Sequence, residues 1–367
     1  MTESTILTNA LRSHIDRAIA QAGGWIGFDQ FMAMALYTPG LGYYANDTAK
    51  FGAMPDSGSD FVTAPELSPA FGQLLAAQVA EALAQTGTHE VWEFGAGTGA
   101  LAQQVLQELQ RLGVAITRYT IVDLSGTLRA RQQARLAAYA PQVEWADALH
   151  ADMQGVVIGN EVLDAMPVHI IARVSGVWME RGIAVEGDQL VWANRPTTLR
   201  PPVEIEGEHD YETEIHPQGE AFVRTLGAHL TRGAVFLIDY GFGESEYYHP
   251  QRHMGTMVCH HQHKVDSDPL DKLGLKDITA HVNFTGTAVA AQEAGFDVLG
   301  YTTQAHFLIN CGLQAKLDAM STPERVPAMK LMMEHEMGEL FKVIGLSKGV
   351  QPWDALGFVR GDRTHRL

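Results

Sequence analysis

Residues 91–102, VWEFGAGTGALA, compress a strand, a glycine turn and the start of a helix into one short stretch. A backbone that leaves a strand and enters a helix within a few residues must visit positive φ and approach its ligand without a Cβ. Gly95, Gly97 and Gly99 permit this. Short apolar runs and helical stretches then alternate. VWEF (91–94), YTIVDL (119–124), VEWA (143–146) and GVVIGN (155–160) read as strands, with helices over 100–112 and 126–138. This alternation predicts a parallel sheet with right-handed crossovers, so function belongs at the carboxyl ends of the strands.

The regularity is interrupted once. Residues 174–206 carry hairpin signals and a proline cluster with no helix between them, so they read as an inserted antiparallel lobe, followed by a helix over 217–230. AVFLIDYGFG (234–243), FDVLGYT (296–302) and FKVIGLS (341–347) then resume the sheet. Ahead of the glycine turn, Ile6, Leu7, Leu11, Ile15 and Ile19 fall on one helical face, and Ser68-Pro69 starts a helix carrying Phe71, Leu74, Leu75, Val79 and Leu83. The expected division is a helical and loop cap (1–88), a core of 89–173 with 231–350, and the lobe with its helix (174–230).

The glycines alone fit two cofactors. Gly95, Gly97 and Ala100 satisfy the dinucleotide fingerprint, and Gly95, Gly97 and Gly99 satisfy the turn that holds S-adenosylmethionine. Glu93, inside the end of the strand, opposes a pyrophosphate but suits a cationic sulfonium and amino group. Asp123 ends the second strand, where it can accept ribose hydroxyls of either cofactor, and Asp147, just past the third, is a candidate for the adenine amino group. The late position of the turn also favours the methyl donor. A dinucleotide oxidoreductase is the alternative.

After the fourth strand, GNEVLDAMPVH (159–169) places Asn160, Glu161 and Asp164 where a methyl group would leave the donor. Asn160 and Glu161 also read as the cap and dipole partner of a short helix. In the functional reading Glu161 grips a guanidinium through two parallel hydrogen bonds, assisted by Asp164 and His281. His281 reads equally as a buried histidine satisfied by backbone.

Several motifs occur in an order that resembles the MidA-like family: GYY, SDFVTAPELSPAFG, EFGAGTG, GNEVLDAMPV, GTMVCHHQH, DITAHVNF and FKVIGLSKG. The resemblance implies a Rossmann-like class I methyltransferase using S-adenosylmethionine. It also implies an arginine-bearing protein substrate, since mitochondrial members of the family methylate protein arginine on a respiratory complex I subunit during assembly. By the same resemblance Thr63, Pro65 and Glu66 line or cover the cofactor pocket, and Asp277 to Phe284 flank the acceptor site. NEVLD is also loosely similar to the acidic loop of protein-arginine methyltransferases. An assembly chaperone that binds the cofactor without turnover is the second alternative.

The net charge of −17 repels phosphates, so no nucleic-acid partner is expected. Two cysteines, no basic leader and no long apolar run predict a reduced, cytoplasmic protein without membrane insertion. His249, His253, His260, His261 and His263 with Cys259 could suggest zinc, but adjacent His260 and His261 face opposite ways on a strand, and no metal is expected. Tyr43, Tyr44, Phe51 and Phe61 could form a lid over the donor or simply pack the cap, and Asp239-Tyr240 could wall the pocket.

Overall fold

A computed structural model of the chain describes residues 3–46, 63–123 and 126–367. Phe51 and Phe61 of the aromatic set lie outside these residues. The central sheet contains β1 (Glu90–Phe94), β2 (Arg118–Val122), β3 (Val143–Ala146), β4 (Met153–Asn160), β5 (Leu230–Phe242), β6 (Asp297–Thr303) and β7 (Phe341–Lys348). They lie side by side in the order β3-β2-β1-β4-β5-β7-β6. The first five are parallel, while β7 runs antiparallel to both β5 and β6, and Val282–Asn283 pairs with the end of β5. This is a Rossmann-like α/β sheet, as the alternation of strands and helices predicts.

The parallel strands read as continuous apolar runs because both faces are covered. One face packs on helices Ala70–Thr86 and Ala100–Arg111, and the other on Pro217–His229 and Phe284–Glu293. Phe71, Leu74, Leu75, Val79 and Leu83 are all buried as their spacing predicts. Ser68 accepts from the amide of Ala70 at 3.3 Å, so the serine serves its helix although regular turns begin one residue beyond Pro69.

The antiparallel lobe departs from the expected segment. It begins at His169, and it takes its remaining edge strand from the N-terminal region. Val177–Glu186 pairs along one edge with His169–Val174, through residues 177–181, and with Trp25–Gly27, through residues 182–184. Gln189–Pro196 covers its other edge. Helix Phe28–Tyr37 follows, and its buried Phe28, Phe31 and Met32 join Leu11, Ile15, Ile170 and Ile183 in one core. Cap and lobe are therefore one packed body. Ile6 is the exception on the first helical face, 57% exposed because the helix begins beyond the edge of this core.

Ile15→Ala should cost about 2–5 kcal/mol through the cavity it leaves, and Ile6→Ala less than about 0.5 kcal/mol. Urea denaturation of the two variants measures the difference.

Candidate active site

The strand order reverses between β1 and β4, so a crevice opens outside their carboxyl ends. It holds a cavity of about 1060 Å³. At one end is the glycine turn, with Gly95, Gly97 and Gly99 at φ of +64°, +53° and +81°. Gly95 and Gly97 line the cavity, while Gly99 is set behind it, where an added Cβ would lie 3.4 Å from the backbone of Gln132. Gln132 is fully buried and braces the turn: its Nε2 donates to the Gly97 carbonyl at 2.9 Å and to Asp123 at 2.8 Å, and its Oε1 accepts from Trp145 at 2.9 Å.

Glu93 and Asp123 both reach this end of the cavity. Glu93 is 1% exposed, accepts from the Tyr119 hydroxyl at 2.5 Å, and is pushed up to about 8 by burial, with Asp123 adding repulsion. Among the described residues no lysine or arginine pairs with it. A buried carboxyl in this state fits a cationic ligand, which would restore its charge, and opposes a pyrophosphate.

Thr63, Pro65 and Glu66 line the cavity as well. Gln104 fixes them by donating to the Pro65 carbonyl at 2.8 Å, and Glu66 is held by the Thr98 hydroxyl and by Arg135 at 3.2 Å. Asp147 stands apart. Its side chain is 85% exposed, paired with Arg129 outside this cavity, because the turn after β3 points it towards solvent.

The opposite end is acidic. Asn160, Glu161 and Asp164 leave β4 together, but residues 161–167 form turns rather than the short helix that Asn160 could have capped. The amides of Val162, Leu163 and Asp164 all donate to one oxygen of Asp239, at 3.1, 2.9 and 3.2 Å, and this replaces a helical cap. Glu161 sits at φ +54°, an uncommon conformation for a residue with a Cβ, and accepts from Asn160 Nδ2 at 2.9 Å. Asp239 itself lies behind the wall, which Tyr240 forms.

The Tyr240 hydroxyl donates to Asp164 Oδ2 at 2.5 Å. Among the described residues, Asp164 Oδ1 and Asn160 Oδ1 are buried without a hydrogen-bond partner. Withdrawal from water raises Glu161 to about 8, with repulsion from Asp164 and Asp277, and raises Asp164 to about 6. His281 lines the cavity with its edge near the Tyr240 ring, 5.3 Å between centroids. Among the described residues its Nδ1 has no hydrogen-bond partner, and burial, followed by Arg252 and Lys342, lowers it to about 4. It is therefore neutral at physiological pH.

Tyr44 reaches the cavity and Tyr43 packs in the core of the cap, so the aromatic pair divides between the two expected roles. Asn283 does not line the cavity; it caps helix Phe284–Glu293, accepting from the amides of Thr285 and Gly286. Sequence reasoning missed Tyr37, Gln132 and Phe222. Tyr37 arrives on an unforeseen helix and Phe222 on the helix after the lobe, so only Gln132, a polar residue on a buried helical face, left a local signal.

In the His-rich segment the described residues bring no three metal-ligating groups together. Asp29, His169 and Glu180 do meet elsewhere. There His169 Nδ1 lies 2.8 Å from Glu180 and 3.6 Å from Asp29, a contact that ties the cap helix to two lobe strands.

Residues 74–302 match the family described as "Putative S-adenosyl-L-methionine-dependent methyltransferase". The chain belongs to this family. The methyltransferase is similar over its whole length to a Burkholderia thailandensis protein solved with S-adenosyl-homocysteine bound. The two are 48% identical with a TM-score of 0.95, covering 100% of this chain and 99% of that one. It is 29% identical over 387 residues to a Drosophila melanogaster protein named "Protein arginine methyltransferase NDUFAF7 homolog, mitochondrial", covering 91% of this chain and 84% of the relative. The human protein named "Protein arginine methyltransferase NDUFAF7, mitochondrial" is 26% identical over 369 residues, covering 88% and 80%.

The cofactor is S-adenosylmethionine, and the oxidoreductase alternative falls. The expectation of a cytoplasmic location is overturned too, because these curated relatives are named mitochondrial. Among the described residues no helix is long and apolar enough to cross a membrane.

Glu93 makes the binding end testable. Its folded pKa, about 8, exceeds the ordinary carboxyl value near 4.5, so between these limits the folded protein holds a proton that the unfolded chain has released. Its contribution to stability therefore falls as pH rises through that window, by up to ~1.4 kcal/mol per pH unit. Glu93→Gln should flatten this slope in cofactor-free denaturation curves, and calorimetry should find S-adenosylmethionine bound about tenfold more weakly or worse.

Proposed function

We propose that the enzyme methylates a nitrogen of a protein arginine, with the acceptor held at the acidic end of the cavity. The observation that carries this reading is the convergence of Glu161 and Asp164 on the cavity wall: among the described residues Asp164 Oδ1 is buried without a partner and no lysine or arginine is ion-paired to either carboxyl. Such a wall is costly to leave ionised without a cation, and a guanidinium offers both the charge and a fork of N–H donors. The names of the Drosophila and human relatives support the same acceptor.

S-adenosylmethionine, when bound, supplies an electrophilic methyl group on a cationic sulfur. Gly95, Gly97, Asp123 and Glu93 would hold it, with Thr63, Pro65 and Glu66 alongside. Glu161 takes two parallel hydrogen bonds from the guanidinium and fixes one nitrogen for attack. The guanidinium remains protonated as it binds, its pKa being above about 12. The attacking nitrogen would give its electron pair to a new bond to the methyl carbon as the methyl–sulfur bond breaks, S-adenosyl-homocysteine would leave with the sulfur's pair, and the nitrogen's proton would pass to the nearby carboxylate of Asp164. Neutral His281 and the Tyr240 ring exclude water from this end without adding positive charge. The fold brings the two ends of the crevice together across β1 and β4, which is the proximity the transfer needs.

Glu161→Gln should lower methylation about a hundredfold or more while S-adenosyl-homocysteine affinity changes by less than about threefold. Retained cellular function in this variant would favour a chaperone that binds the cofactor without turnover. Because Asp164 and Glu161 must be ionised to hold a cation, kcat/KM for the acceptor should rise from pH 6 to pH 8, following their values of about 6 and about 8, and Glu161→Gln should remove the upper part of that rise. Mass spectrometry of arginine methylation with and without the protein identifies the acceptor; a respiratory-complex subunit is the proposed class, and no difference at any arginine defeats the assignment.

A further inference from the structure

Glu161 and Asp164 leave the same strand end, within one turn of chain. A planar cation gripped only from that side would keep its far edge unsatisfied. The segment Asp277–Thr279 enters the same cavity from the three-stranded sheet, remote in sequence from β4. Its Asp277 is 2% exposed and lines the cavity. The Tyr44 hydroxyl donates to Asp277 Oδ2 at 2.8 Å, and Tyr44 in turn stacks on Tyr37, with centroids 5.7 Å apart and planes 18° apart. The Tyr37 hydroxyl donates to the Ala165 carbonyl at 2.7 Å, next to Asp164. The two tyrosines thus brace Asp277 against the loop that carries Glu161 and Asp164.

We propose that Asp277 is the second carboxylate of the acceptor subsite, binding the cation from a chain segment separate from that of Glu161, with Tyr44 as its positioning residue. The proposal rests on the arginine reading for the identity of the cation. Three features carry it: Asp277 lines the same cavity as Glu161, the Tyr44–Tyr37–Ala165 contacts tie it to the loop that carries Glu161 and Asp164, and Asp164 Oδ1 is buried there with no donor among the described residues; repulsion between Asp277 and Glu161 adds to this. Asp164 keeps the proton-accepting role, its loop held by the Tyr240 hydroxyl and by backbone bonds to Asp239 and Ala280.

The test uses the full chain loaded with S-adenosyl-homocysteine and two probes, N-acetyl-arginine methylamide and N-acetyl-lysine methylamide, titrated by calorimetry. Asp277→Asn should weaken the arginine probe about tenfold or more, and Tyr44→Phe by a smaller factor, with S-adenosyl-homocysteine affinity unchanged in both. Turnover of the wild-type acceptor should show the loss from Tyr44→Phe in KM rather than kcat. Equal binding of the arginine probe by wild type and Asp277→Asn overturns the proposal and leaves the arginine reading standing. Equal binding by wild type and Tyr44→Phe overturns the positioning role. If the lysine probe binds best and depends on Asp277, the second carboxylate stands and the arginine reading fails; if neither probe binds, both fail.

Discussion

The carboxylate of Asp239 is the contact on which the site depends. One of its oxygens accepts three successive amides, from Val162, Leu163 and Asp164, and the other accepts from the amide of Tyr240 at 2.9 Å. Burial raises the proton affinity of Asp239 well above the ordinary carboxyl range, so these count as ordinary hydrogen bonds, worth about 0.5–1.5 kcal/mol each. Together they can hold Glu161 in a left-handed conformation that costs about 1–3 kcal/mol. The strain is local, and it keeps the Glu161 carboxyl in the cavity wall instead of letting the chain run into a helix. Asp239 also places Tyr240, the partner of Asp164, so one buried side chain on β5 sets the geometry of the loop after β4.

The cavity is organised by desolvation as much as by shape. Glu93 at one end and Glu161 at the other are both raised to about 8, in each case chiefly by burial. A carboxyl in such a place either keeps its proton or finds a cation. Within the proposed reaction both partners are cationic, the donor through its sulfonium and the acceptor through its guanidinium, so each end gains its counter-charge only when loaded. Neutral His281 and the tyrosine hydroxyls add polar groups without adding positive charge.

The cap and the lobe act as one wall because they share a sheet and a core. Trp25–Gly27 extends the edge beside Val177–Glu186, and Ile26 packs with Ile170, Ile183 and Ile278. The helix that follows carries Tyr37 into the cavity, and the three-stranded sheet packed on the same core carries Asp277. A buried Glu214 fastens these parts. Its carboxylate accepts from the amides of Thr256 and Met257 and from the Tyr247 hydroxyl, and Thr256 in turn accepts from the amide of His281.

The sequence by itself determined the parallel sheet, its glycine turn and the acidic loop. These are local patterns: apolar runs bounded by turn residues, three glycines at a forced change of direction, and Glu161 three residues before Asp164. Tertiary structure decided what those patterns meet. Asp147 sits at the end of a strand as expected, but the next turn sends it to Arg129 and solvent. Asn160 precedes a run that could have been a helix, until Asp239, remote in sequence, takes the amides a helix would need. Tyr37, Tyr44 and Asp277 carry no periodic signal because their roles come from three chain segments meeting on a shared core. Burial, which sets the charge state of Glu93 and Glu161, exists only once those segments have closed over them.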